Sequence, residues 1–317
     1  MNSNFNISEL ISNLINNFDS YINNTSKLTK IVNEISCFDA SYRNLKNTYK
    51  CRFRETNRIG QVGYVDEENN EILFNLTRTR IVSQRKIETN TESGLINFLG
   101  FREVFNSLVQ PTDDDIILYQ FLNYDNWKGH YEFFANYKLL PVEIVHTIFH
   151  ENEHLVQNDF LDNIVSSLDY TRMQENIYMT FVCIYQKMFL ELQNVNKLSD
   201  YKRDNVYFPI EIDAEYEAIK TFEIIDLNDE IKMQIISWKN FINRFKKVKT
   251  YKDFIKVIWT DYEYLSKIYK ENFAEDNNIK SILSLLNNNK EQVFEKYKEI
   301  FEFWKWKLIL FWYFLLI

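Results

Sequence analysis

Glycine and proline are scarce in this 317-residue chain, with 5 Gly and 3 Pro. Both residues interrupt helices, so their scarcity predicts a mostly helical protein. Cysteine is almost missing too. Cys37, Cys51 and Cys183 are widely spaced, odd in number and form no CxxC pair, which argues against a disulfide framework and a thiolate zinc site and leaves reduced, packed thiols. There is no excess of positive charge: the formal net charge is −8, whereas proteins that neutralise phosphates carry a basic face, so nucleic acid is not an expected partner. The local cluster of Arg244, Lys246, Lys247 and Lys249 reads as a solvated helix face. No G-x-x-x-x-G-K-[ST], G-x-G-x-x-G or G-x-S-x-G occurs, and phosphate-binding and serine-hydrolase readings fall away with them.

Long apolar runs are also lacking. The N-terminal Met1-Asn2-Ser3-Asn4 has neither the basic start nor the apolar run of a signal peptide, which predicts a cytoplasmic protein. The longest apolar stretch, residues 308–317, follows Trp304, Lys305, Trp306 and Lys307 and is too short to span a bilayer, which takes roughly 20 residues. A final helix docked on the core is the expected arrangement; an interfacial membrane contact, with Trp and Lys at headgroup level, is the alternative.

What the chain does contain is ample material for a core, being 45% hydrophobic with 26 Phe and 20 Tyr. Asn6-Ile7-Ser8-Glu9 resembles a capping box that opens an amphipathic helix to about residue 22, and a second helix is expected over 26–35. Residues 61–65 and 71–76 are β-prone runs around the charged turn at 66–70, a hairpin pattern. Residues 95–109 and 113–122 are apolar-rich and fit either helix or strand. Pro141 suits a helix's first turn, with helical periodicity following over 142–158. Helices are then expected over 173–192, 213–225, 229–248, 251–270 and 291–312, with Asn287-Asn288-Asn289 marking a loop. The expected class is α+β, predominantly α, divided into an N-terminal helical segment (1–55), a central domain (56–226) and a C-terminal helical bundle (227–317).

The chain's four histidines are His130, His146, His150 and His154. Two of them frame His150-Glu151-Asn152-Glu153-His154, an H-E-x-x-H pattern. On a helix, positions i and i+4 lie one above the other, so both imidazoles can reach one zinc ion while Glu151, about 100° round, flanks a water there. With His150 at zero, His154 falls near +40°, whereas Val145, Ile148, Leu155 and Val156 gather on the opposite side, so a metal face and a core face are expected to be separate. His146, one turn earlier, completes a row spanning about 12 Å, too long for one ion with Zn–N bonds near 2.0 Å. It is therefore read as a neighbour or a surface residue. A catalytic zinc takes three protein ligands, and Glu211, in Tyr207-Phe208-Pro209-Ile210-Glu211-Ile212-Asp213-Ala214-Glu215, is the first choice for the third, with Glu215 its competitor.

The motif followed by a helical glutamate resembles the gluzincin clan of zinc metallopeptidases, over roughly residues 60–225, and the P-x-E-x-D-A segment resembles the third-ligand region of compact bacterial members. The resemblance implies a zincin-like catalytic core with a small β-hairpin or sheet and flanking helices. It also implies Glu211 as ligand, Glu215 as a carboxylate that orients a ligand histidine, and a strand at 71–76 whose edge pairs with an extended peptide. The distance from His154 to Glu211 is greater than in the best-known members.

The chemistry so implied is hydrolysis of a peptide or protein substrate: zinc lowers the pKa of its water towards about 7 and polarises the carbonyl, while Glu151 accepts the water's proton and returns it to the leaving amine. Tyr207, Tyr216 and His130 are candidates for stabilising the oxyanion. A non-catalytic zinc-binding interaction module is the rival reading, against which Glu151 speaks, since a structural site needs ligands but no base. A regulatory protease with one protein target is a third.

Overall fold

The computed structural model describes residues 7–55, 62–66, 68–76, 79, 140–199, 208–225, 248 and 250–315, with backbone alone at 224 and 304–315. It is mostly helical with one small sheet, as the composition predicts. By its contacts the chain forms two compact units, Met1–Asn152 with Lys220–Trp238, and Glu153–Ile219 with Lys239–Ile317. These bounds do not coincide with the expected divisions at 55 and 226.

In the first unit, helices α1 (Ile7–Asn16), α2 (Phe18–Ile22) and α3 (Thr25–Tyr42) precede strands β1 (Lys50–Arg54), β2 (Gly63–Asp66) and β3 (Glu71–Asn75). The single helix expected to about residue 22 is broken at Asn17, whose φ/ψ of −114°/14° leaves the helical region and whose side-chain amide donates back to the Asn13 carbonyl at 3.1 Å. The second helix begins where Asn24 accepts from the Lys27 amide and runs a further two turns beyond the expected end. It stops at Asn44, where φ is +58° and the Leu45 amide reaches the Ala40 carbonyl at 2.9 Å, a Schellman closure. Asn70 and Asn196 also take positive φ, while no described glycine does. Among the described residues asparagine thus supplies three of the four left-handed positions, Leu168 being the other.

The hairpin of β2 and β3 forms as expected, with Asp66 opposite Glu71. Strand β1 was not expected, and the segment 1–55 is therefore not wholly helical; Lys50-Cys51-Arg52-Phe53-Arg54 nonetheless alternates charged and apolar residues at the period of a strand. It pairs parallel with β3, which gives the order β1-β3-β2 and makes β3 the central strand. Both edges of 71–75 are thus occupied, which corrects the expectation that this strand offers an edge to a peptide. The outer edge of β1 is blunted: Asn33 of α3 accepts from the Cys51 amide and donates to the Cys51 carbonyl, each at 2.9 Å, so one side chain takes the place of a pairing strand.

Helix α4 (Leu140–Phe160) passes from the first unit into the second between Asn152 and Glu153. It is followed by a π-helical turn (Leu161–Val165) and helices α5 (Tyr170–Glu175), α6 (Ile177–Asn194), α7 (Pro209–Ile224), α8 (Tyr251–Asn272), α9 (Asn277–Asn288) and α10 (Lys290–Leu315). The helix expected over 173–192 is divided at Asn176, and α9 was not expected; Asn287 and Asn288 are its last residues rather than a loop. Helix α6 buries six consecutive residues, from Thr180 to Tyr185, as only a helix surrounded by neighbours can. It packs against α8, α9 and α10, and the Phe181 ring meets Tyr185, Trp259, Tyr262 and Tyr297 at centroid distances of 5.1–6.3 Å. The regions 95–109, 113–122 and 229–247 lie outside the described residues. Among those described, no helix is long and apolar enough to cross a membrane, and residues 308–315 continue α10.

Candidate metal centre

Pro141 lies in the first turn of α4, where its missing N–H costs nothing. Of the expected core positions, Val145 and Ile148 are fully buried, whereas Leu155 and Val156 are half-buried. Burial extends beyond the expected core face, because Glu143, His146, Asn152, Glu153 and Gln157 are all buried. The partly open positions over the motif are Thr147, His150, Glu151 and His154, spaced i, i+3, i+4 and i+7 so that they form one strip along the helix. Two metal-type donors and a carboxylic acid therefore share the only polar stripe that water reaches along residues 140–154.

Asn152 and His146 are engaged within the first unit. The Asn152 amide donates to Asp39 Oδ2 at 2.9 Å and to the Ser36 carbonyl at 3.3 Å. Asp39 in turn accepts from Arg43 Nε through both oxygens, at 3.1 and 3.0 Å, and Arg43 Nη2 donates to Thr221. Burial raises the Asp39 carboxyl above its ordinary value, with the Arg43 charge and the Asn152 bond pulling the other way. His146 is buried rather than at the surface. Its ring lies parallel to Phe222 with centroids 6.4 Å apart and 6.0 Å from the His150 ring.

Glu211 stands in the first turn of α7, which starts at Pro209, a favoured residue at that position. Its Oε1 lies 3.7 Å from His154 Nε2. Donor atoms of His150, His154 and Glu211 all lie within 4.8 Å of one another, so the three residues singled out from the sequence come together. Ligands at about 2.0–2.2 Å on a tetrahedron stand roughly 3.3–3.6 Å apart, which the His154–Glu211 spacing nearly meets. Two imidazoles and one carboxylate form a donor set that suits zinc. Glu215, the competing ligand, is buried one turn further along α7 and is not among the grouped donors. Tyr216 is buried too, its hydroxyl donating to Glu299 at 2.5 Å; Tyr207 and His130 lie outside the described residues.

The residue that sequence reasoning missed is Gln157. His154 Nδ1 lies 2.7 Å from Gln157 Oε1, and Gln157 Nε2 donates to the Ile210 carbonyl at 3.1 Å and to Asp213 Oδ2 at 2.9 Å. The orienting role expected of Glu215 thus has a geometric counterpart in Gln157 and Asp213. Asp213 is pushed up to about 6, chiefly by burial and secondly by the Glu217 charge, against the bonds from Gln157 and Tyr178 and the charge of Lys296. The available signal was the spacing of Gln157, three positions after His154 and so on the same side of the helix. Comparison of the chain with known protein families, with curated proteins and with solved structures gives no match.

Proposed function

We propose that the chain is a zinc-dependent metallopeptidase, with His150, His154 and Glu211 as metal ligands and Glu151 as general base. The observation that carries this reading is the convergence of those three donors within 4.8 Å, with Glu151 on the same partly open strip of α4. A zinc ion held there supplies Lewis-acid polarisation of a carbonyl and acidifies water. Glu151 accepts the proton of the attacking water and hands it to the leaving amine, for which a carboxylate with access to solvent is suited. A protein or peptide substrate and a resemblance to the gluzincin clan follow from the same motif, and a metal site that served structure alone would have no use for Glu151.

Elemental analysis of the purified protein, alongside His150→Ala and Glu151→Gln, tests the reading, with cleavage of a peptide library as the second readout. The expected result is about one zinc per chain, lost in His150→Ala and kept in Glu151→Gln, with cleavage abolished in both. A folded wild-type chain that takes up no zinc when supplied with it would refute the reading.

A further inference from the structure

We infer that Gln157 is a positioning residue that holds His154 as its Nδ1–H tautomer and so turns the Nε2 lone pair towards Glu211. Gln157 is 1% exposed, so its amide has to satisfy itself within the protein. The two groups around its Nε2, the Ile210 carbonyl at 3.1 Å and the Asp213 carboxylate at 2.9 Å, are both acceptors. Only the NH2 end of the amide can face them; the reverse orientation would set Oε1 against two oxygens. Oε1 is thereby left facing His154 Nδ1 at 2.7 Å. An amide oxygen donates nothing, so Nδ1 must carry the hydrogen. A neutral imidazole has one N–H, and the lone pair then lies on Nε2, the atom 3.7 Å from Glu211 Oε1.

The arrangement differs from a histidine oriented directly by a carboxylate. The acceptor is neutral, and the charge of Asp213 acts through the amide rather than on the ring. Cys183, from α6, backs the same turn by donating its thiol to the Gln157 carbonyl at 3.4 Å. Residues 210 and 213 belong to the first turns of α7, so the helix that brings Glu211 also fixes the amide that orients His154.

The inference deepens the metal reading, since His154 is a ligand in it, but it can be tested without metal. The first measurement is a long-range proton–nitrogen correlation spectrum of the metal-free wild type labelled at histidine, at about pH 8, above the ordinary titration of imidazole. His154 is assigned by the signal lost in His154→Gln. The Nδ1–H pattern is expected, and an Nε2–H pattern would overturn the inference. In Gln157→Leu, His154 is expected to lose its single Nδ1–H signature. Competition with a chromogenic chelator is expected to show zinc held about 10–100-fold more weakly, with the circular dichroism unchanged. A folded Gln157→Leu chain with undiminished zinc affinity would overturn it as well. A wild type that shows the Nδ1–H pattern yet binds no zinc would uphold the tautomer and refute only the metal reading.

Discussion

His154 Nε2 and Glu211 Oε1 stand 3.7 Å apart although positions 155–210 intervene. Helix α7 enters with its first turn beside the end of the histidine motif, and the carboxylate grouped with the histidines is Glu211 rather than Glu215, which is buried one turn further along the same helix. Glu211→Ala is therefore expected to weaken zinc binding by more than the roughly 10–100-fold that a supporting residue commands, while the isosteric Glu215→Gln keeps full metal stoichiometry. Chelator competition on both variants distinguishes the two carboxylates, and the opposite ranking would assign the ligand to Glu215.

Asn152 occupies one of the two variable positions of the motif, and the structure gives it a fixed task. Its amide is fully buried against Asp39 and the Ser36 carbonyl. Asn152→Ala leaves the buried Asp39 carboxylate short of a donor, a loss of about 1–3 kcal/mol. Urea denaturation is the check: the midpoint should fall while the slope stays the same.

The three thiols should divide by burial. Cys37 is exposed, and Cys51 and Cys183 are buried, so an aromatic disulfide reagent is expected to titrate one thiol in the native chain and all three in denaturant.

Burial pushes the Cys51 thiol from 9.0 up to about 12. The folded chain keeps that proton where the unfolded chain releases it, so this contribution to stability is whole below pH 9 and is lost as pH rises through about 12. Cys51→Ala has no thiol to titrate, and the stability gap between variant and wild type should narrow over that window when both are unfolded by urea at a series of pH values.

Phe181 is enclosed by the rings of Tyr185, Trp259, Tyr262 and Tyr297. Phe181→Ala opens a cavity that rigid aromatic neighbours cannot close, and a loss of about 3–5 kcal/mol is expected. Thermal unfolding of a variant that melted like wild type would contradict this packing.

Local patterns were legible where a single helix or turn decides the outcome. The periodicity around His150, the proline at position 141 and the charged turn at 66–70 each rest on contacts within a few residues, and the helix and hairpin follow from them. Strand β1 was missed although Lys50-Cys51-Arg52-Phe53-Arg54 alternates, because a five-residue run acquires its meaning from a partner, here β3 and the amide of Asn33. The break at Asn17 and the helical state of Asn287 and Asn288 show the same limit, since asparagine serves equally as cap, kink or last helical residue.

By itself the sequence determined the helical bias, through its shortage of glycine and proline, and the placing of His150, Glu151 and His154 on one side of one helix, because that follows from the helical repeat. Only the tertiary structure decided that Glu211 rather than Glu215 joins the histidines, that β3 is a central strand with no edge to lend, and that Gln157 with Asp213 orients His154. Those outcomes depend on how segments distant in the chain pack, and a buried amide or carboxylate takes its role from the partners that packing brings within hydrogen-bonding reach.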